Sequence, residues 1–134
     1  MQRLGWSLIL VLTAVCFSCT GEMNLAAPTE VAAVQVVESG QYTEAIRVTW
    51  KLVGLAVYYL VYRSEQPDGV FEYVSEVKEN ILNSYLDTKV EAGHTYYYKI
   101  RAGSSQANVN ASGFSNASAG VTVRAGYVSA LTAR

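Results

Sequence analysis

From Val31 onward, apolar and polar residues alternate in short runs, and turn residues break the runs at regular intervals. A period of two over four to eight residues marks a half-buried strand, and no stretch holds the 3.6-residue period of an amphipathic helix. Val31–Val37 reads as the first strand, closed by Glu38-Ser39-Gly40-Gln41. Ile46, Val48 and Trp50 alternate with Arg47 and Thr49, so one face is apolar and the other wet. Val57–Arg63 (VYYLVYR) follows after Gly54. Glu65-Gln66-Pro67-Asp68-Gly69 is a turn in which Pro fixes φ and Gly supplies a positive φ. Val70–Val77, Ser84–Thr88, Thr95–Ala102 and Ala119–Val123 complete the set. Seven strands in about 95 residues predict an all-β, immunoglobulin-like sandwich.

The first segment has a different pattern. Arg3 carries the only charge before Leu4–Phe17, a run in which Ser7 and Thr13 are the sole polar side chains. A charged start followed by an apolar run of this length predicts a signal peptide over residues 1–18. A membrane span needs roughly 20 apolar residues, so the run is short for one. Both cysteines of the chain, Cys16 and Cys19, stand at its end. A disulfide between them would close only a tiny loop.

Cys19 after the small residue Ser18 resembles the lipobox of bacterial lipoproteins, in which the leader is cut before a lipid-bearing cysteine. Cys16 and Phe17 depart from the residues usual there. The resemblance implies export to a bacterial cell envelope and a lipid anchor on Cys19. The alternative is ordinary cleavage nearby and a soluble secreted protein. Residues 19–29 then read as a tether, since Thr20–Thr29 (TGEMNLAAPT) has no period. Residues 30–123 are the sandwich, and residues 124–134 (RAGYVSALTAR) extend the last strand or form a tail.

Four pieces of the chain, in order, resemble the fibronectin type III family. IRVTW at Ile46–Trp50 is similar to its second strand, which ends on a core tryptophan, and YLVYRS at Tyr59–Ser64 to its third. SYLDTKVEAGHTYYYKIRA at Ser84–Ala102 is similar to its fifth strand, turn and sixth strand. SGFSNASAGVTV at Ser112–Val123 is similar to its last strand and lead-in. The resemblance implies a central core role for Trp50. It also implies a tyrosine corner at Val90, Gly93 and Tyr96, with the Tyr96 hydroxyl bonded to backbone near Val90. Ala92 stands where the family often has proline.

Composition narrows the function. Ten Lys and Arg against eleven Asp and Glu leave no basic excess to neutralise phosphates, so no nucleic-acid partner is expected. The one histidine, His94, falls in a turn, and one His without a free Cys makes no zinc set. Asp87 lies near His94 in sequence but belongs to the strand and turn that build the corner. Glu72, Glu76 and Glu79 read as a solvated face, and Glu65 with Asp68 is too thin for calcium. No phosphate-binding glycine loop is present. The expectation is a protein without catalysis, cofactor or metal. Asn110 and Asn116 match the glycosylation acceptor pattern, which a bacterial source would make incidental.

Alternation also sorts the faces. With Tyr59, Val61, Tyr96, Tyr98 and Ile100 pointing inward, Tyr58, Leu60, Tyr62, Tyr97, Lys99 and Arg101 point outward. In the fibronectin arrangement these two strands are neighbours, so the six form one candidate binding face for a protein or polysaccharide. Tyr and Arg are frequent binding anchors, and rings beside cations suit sugars and cation–π contacts. Cross-strand aromatic pairing for sheet stability is the simpler reading of the tyrosines, since outward aromatics on sheets are ordinary. The loop Gly103–Asn110 (GSSQANVN) is a second candidate. The competing functions are therefore a lipid-anchored binding module and a structural subunit of a larger envelope complex.

Overall fold

The computed structural model describes residues 22–79 and 81–128. The expected signal peptide, Cys19 and residues 129–134 lie outside them. The strands are β1 (Met23–Asn24), β2 (Ala32–Glu38), β3 (Gln41–Thr49), β4 (Tyr58–Ser64), β5 (Glu72–Val77), β6 (Ser84–Asp87), β7 (Thr95–Gly103), β8 (Val109–Asn110) and β9 (Val121–Thr122). They form a three-stranded sheet in the order β2-β3-β6 and a four-stranded sheet in the order β5-β4-β7-β9. A small parallel pair, β1 with β8, stands beside them. The seven expected strands are all present, within a few residues of the expected bounds.

The inner faces meet in one core. Ile46, Val48, Tyr59, Val61, Tyr98, Ile100 and Ala102 are fully buried, and Trp50, Val90, Tyr96 and Val123 are nearly so. Burial at every second position, from Tyr58 to Tyr62 in β4 and from Thr95 to Ala102 in β7, is the period-two pattern made physical. Trp50 packs on Tyr59 with ring centroids 5.2 Å apart. Its Nε1–H is buried with no acceptor among the described residues. The tyrosine corner forms as the resemblance implied. Gly93 takes φ +89°, and the Tyr96 hydroxyl accepts the Glu91 N–H at 3.1 Å.

Two segments depart from the expectation. Residues 22–29 are no loose tether, because Met23 N–H donates to Asn108 O and Leu25 N–H to Asn110 O. Leu25 enters the core and Pro28 is fully buried. Leu25 and Pro28, three residues apart, repeat no period, so the docking leaves no sequence pattern. At the other end, Arg124 N–H donates to Gln35 Oε1 at 2.9 Å, and Gln35 Nε2 donates to Arg124 O at 2.7 Å. Tyr42 N–H then bonds Gly126 O, and Val128 N–H bonds Gly40 O. The chain after β9 therefore fastens to the β2–β3 hairpin at least to Val128.

The last edge of the four-stranded sheet is held by serines. Ser112, Ser115 and Ser118 donate their N–H groups to Ala102, Ile100 and Tyr98 O, at 2.8–2.9 Å. Their Oγ atoms accept the N–H groups of the same three residues, at 2.8–3.1 Å. A spacing of three against two on β7 shows that this stretch is not a pleated strand. The side chain supplies the acceptor that the strand's own carbonyl cannot reach.

Candidate binding face

The β4–β7 register opposes Tyr58 to Gly103, Leu60 to Arg101, Tyr62 to Lys99 and Ser64 to Tyr97. All six residues of the expected face therefore lie on the outer side of the four-stranded sheet, each half-buried. Their surroundings split them. Tyr58 lies over Gly103 and Tyr97 over Gly120, where an added Cβ would strike each ring. These two tyrosines cover backbone that the glycines leave bare. Leu60, Tyr62, Lys99 and Arg101 form the centre of the face.

Three aromatic residues join that centre that alternation did not reveal. Tyr62 meets Phe114 edge to face at 4.8 Å and Tyr73 at 5.9 Å. Lys99 Nζ stands 4.4 Å from the Phe71 ring centre, and Arg101 Cζ stands 5.2 Å from that of Phe114. Phe71 lies just ahead of β5, and Phe114 lies in the serine-held stretch, so neither follows a period of two. Tyr73 reaches the outer side because the β4–β5 pairing shifts register between Val61 and Tyr62. Tyr73 remains 57% exposed and Phe114 46% exposed, so the cluster is open to a ligand. Arg101 Nε donates to Ser112 O at 2.9 Å, which fixes its direction. Among the described residues, no carboxylate pairs with Lys99 or Arg101.

A separate charged group lies between the sheets. Asp87 is fully buried. Its Oδ2 accepts Arg63 Nη1 at 2.8 Å and the Tyr98 hydroxyl at 2.9 Å, and its Oδ1 accepts the Lys89 N–H at 3.0 Å. Arg63 also donates to Lys89 O at 2.8 Å and lies 5.1 Å from the Tyr96 ring centre. Burial opposes the charge on Arg63, but the hydrogen bond and charge of Asp87 outweigh it, so its pKa is raised. Burial, then the Asp87 charge, pushes the Tyr98 hydroxyl far above its ordinary range. With both carboxylate oxygens hydrogen-bonded, the group ties β4, β6 and β7 together. Sequence gave it no signal beyond an acid at the end of a strand.

His94 is exposed, 3.2 Å from Glu65 Oε2 and 3.7 Å from Glu91 Oε2, and it stacks on Tyr96. Glu72, Glu76 and Glu79 are exposed, as a solvated face requires. Among the described residues, no three His, Cys, Asp or Glu side chains cluster as a metal site. A groove of about 470 Å³ runs along β2 and β9, lined by residues including Val34, Gln35, Tyr42 and Arg124. Two of its lining residues, Gln35 and Arg124, are bonded to each other. The second candidate loop, 103–110, folds into a turn in which Val109 N–H donates to Gln106 O, and then enters β8.

No protein-family model matches the chain. An amylopullulanase of Thermoanaerobacter thermohydrosulfuricus is 31% identical over 98 residues, which are 73% of this chain and 6% of that enzyme. The chain thus spans only a small part of the curated relative it matches. Among solved structures, an Fn3-like protein from Clostridium thermocellum superposes with a TM-score of 0.57 at 28% identity, over 70% of this chain and 88% of the other. A β-1,2-glucanase from Parabacteroides distasonis superposes with a TM-score of 0.53 at 27% identity, over 75% of this chain and 14% of the enzyme. The strand order and these likenesses agree: the chain is an all-β sandwich of the fibronectin type III fold.

Proposed function

We propose that the protein is a non-catalytic, lipid-anchored module of a bacterial cell envelope that binds polysaccharide through the outer face of its four-stranded sheet. The observation that carries this is the open cluster of Tyr62, Tyr73 and Phe114 beside Lys99 and Arg101, two cations that pair with no carboxylate among the described residues. Aromatic rings stack on the C–H faces of sugars, and the cations serve hydroxyls or uronic carboxylates. Cross-strand pairing alone is worth about 0.2–1 kcal/mol per pair and needs no ring as open as Tyr73. The matched amylopullulanase and β-1,2-glucanase lend weight to a polysaccharide setting, although this chain corresponds to a small part of each. Anchoring through Cys19 rests on the lipobox resemblance.

Affinity electrophoresis of the full chain through gels cast with neutral and acidic polysaccharides tests this reading. Retardation by at least one of them, lost in Tyr62→Ala/Phe114→Ala, is the expected result. Retardation unchanged by the substitutions overturns the face assignment. A structural role in a larger complex has one observation in its favour: among the described residues β5 pairs only with β4, on one of its two edges. Glu72 and Glu76 on that strand are exposed, and charges of this kind discourage strand addition.

A further inference from the structure

The two ends of the sandwich differ in chemistry. β3, β5 and β7 run toward one end, where loops 50–57, 78–83 and 104–108 follow them. Trp50 N–H donates to Asn83 O at 3.1 Å, and Asn83 Nδ2 donates to Trp50 O at 2.9 Å, so the first two loops are laced together. Val57 N–H bonds Gly103 O, and Met23 N–H bonds Asn108 O, which bring in the third loop and the incoming chain. Met23, Leu52, Leu55, Ile81 and Leu82 project here, each between 45% and 74% exposed. Leu55 does so at φ +66°, a conformation that glycine adopts freely and leucine rarely. Among the described residues of these loops only Lys51, Lys78 and Glu79 are charged, and Lys51 pairs with Glu30 at 3.7 Å. At the opposite end, loops 65–71 and 88–94 carry Glu65, Asp68, Lys89, Glu91 and His94, and Val70 and Tyr127 stand there singly.

The chain enters the fold at the apolar end. Cys19 precedes Met23 by four residues, and four residues span at most about 14 Å. The interfacial layer of a bilayer leaflet is itself roughly 5–7 Å thick. An acyl chain on Cys19 would therefore hold Met23 within reach of that layer, because β1 docks instead of trailing as a tether. We infer that this end of the sandwich rests on a lipid bilayer, with Leu52, Leu55, Ile81, Leu82 and Met23 entering its interfacial layer. The inference goes beyond the proposed function and takes from it only the anchor distance; the apolar loop tips are independent of the anchor. Strands standing on this end carry the Tyr62–Phe114 face away from the lipid, open to a polysaccharide.

A photoreactive amino acid placed singly at Leu55, Ile81 and Val70 of the full chain, expressed in its membrane, tests the inference. The expected result is lipid adducts at Leu55 and Ile81 and none at Val70. Leu52→Ser/Leu55→Ser should lower the adduct at Ile81 roughly tenfold, because the methylenes that hold this end down are lost. Equal adducts at all three positions, or adducts to protein at Leu55 and Ile81, would overturn the inference. Fractionation of Cys19→Ala reports the anchor separately. If that variant keeps both its membrane association and its adducts, the lipid on Cys19 is wrong and the seated end stands. If Cys19→Ala leaves the membrane while the unmodified chain gives no lipid adducts, the anchor stands and the seated end is wrong.

Discussion

Replacing Asp87 by alanine should be among the most damaging single changes in this domain. The substitution removes the acceptor of Arg63 Nη1, the Tyr98 hydroxyl and the Lys89 N–H together. Breaking a buried ion pair from one side costs about 3–5 kcal/mol, because the other charge is left unpaired. The Arg63 side chain keeps 26% of its surface exposed, so water relieves part of that cost. The Tyr98 hydroxyl, buried and without its partner, adds about 1–3 kcal/mol. A loss of about 3 kcal/mol is the expected balance, a large share of the 5–15 kcal/mol typical of a domain. Urea melts followed by tryptophan fluorescence report it, as a fall of about 2 M in midpoint for an m-value near 1.5 kcal/mol/M. Replacing the whole group, as Arg63→Met/Asp87→Leu/Tyr98→Phe, leaves no charge unpaired and should cost less than the single change. A folded Asp87→Ala protein that loses less than about 1 kcal/mol, or a triple variant weaker than the single, would refute the reasoning.

Other outcomes follow from the same geometry. Tyr96→Phe strands the Glu91 N–H and should cost about 1–2 kcal/mol by urea melt; no change would remove the corner. Ser115→Ala leaves the buried Ile100 N–H without its Oγ acceptor and should cost about 1–3 kcal/mol, with faster amide exchange at Ile100 than at Val61. The raised pKa of Tyr98 sets a sign at high pH. The folded state keeps its proton while the unfolded tyrosine ionises near 10, so this stability is whole below that pH and lost above it. Urea midpoints between about pH 8 and 11 should fall more steeply in the unmodified chain than in Tyr98→Phe. Trp50→Ala should cost about 3–5 kcal/mol in the same melts, as expected for a core aromatic.

The strands were legible because two sheets packed on one core impose a period of two, which β4 keeps from Tyr58 to Tyr62 and β7 from Thr95 to Ala102. The same period placed Tyr62, Lys99 and Arg101 on one outer face. Phe71, Tyr73 and Phe114 were hidden for separable reasons. Phe71 precedes its strand, a register shift turns Tyr73 outward, and Phe114 lies where a three-residue serine spacing replaces the pleat. Leu25 and Pro28 were hidden too, since two buried side chains in an otherwise irregular stretch make no pattern. The Asp87 group escaped because Arg63 and Tyr98 come from separate strands that only the closed sandwich brings to it; the Lys89 N–H, two residues on, is a local contact.

The central claim is that the Tyr62–Phe114 face binds polysaccharide, and amide mapping tests it most directly. Heteronuclear NMR spectra of the protein, titrated with a polysaccharide that retards it in gels, locate the contact residue by residue. The largest shifts are expected at Leu60, Tyr62, Tyr73, Lys99, Arg101 and Phe114, with the inner core unmoved. Shifts confined to the loop 104–108 or to the groove along β2 and β9, with this face silent, would contradict it.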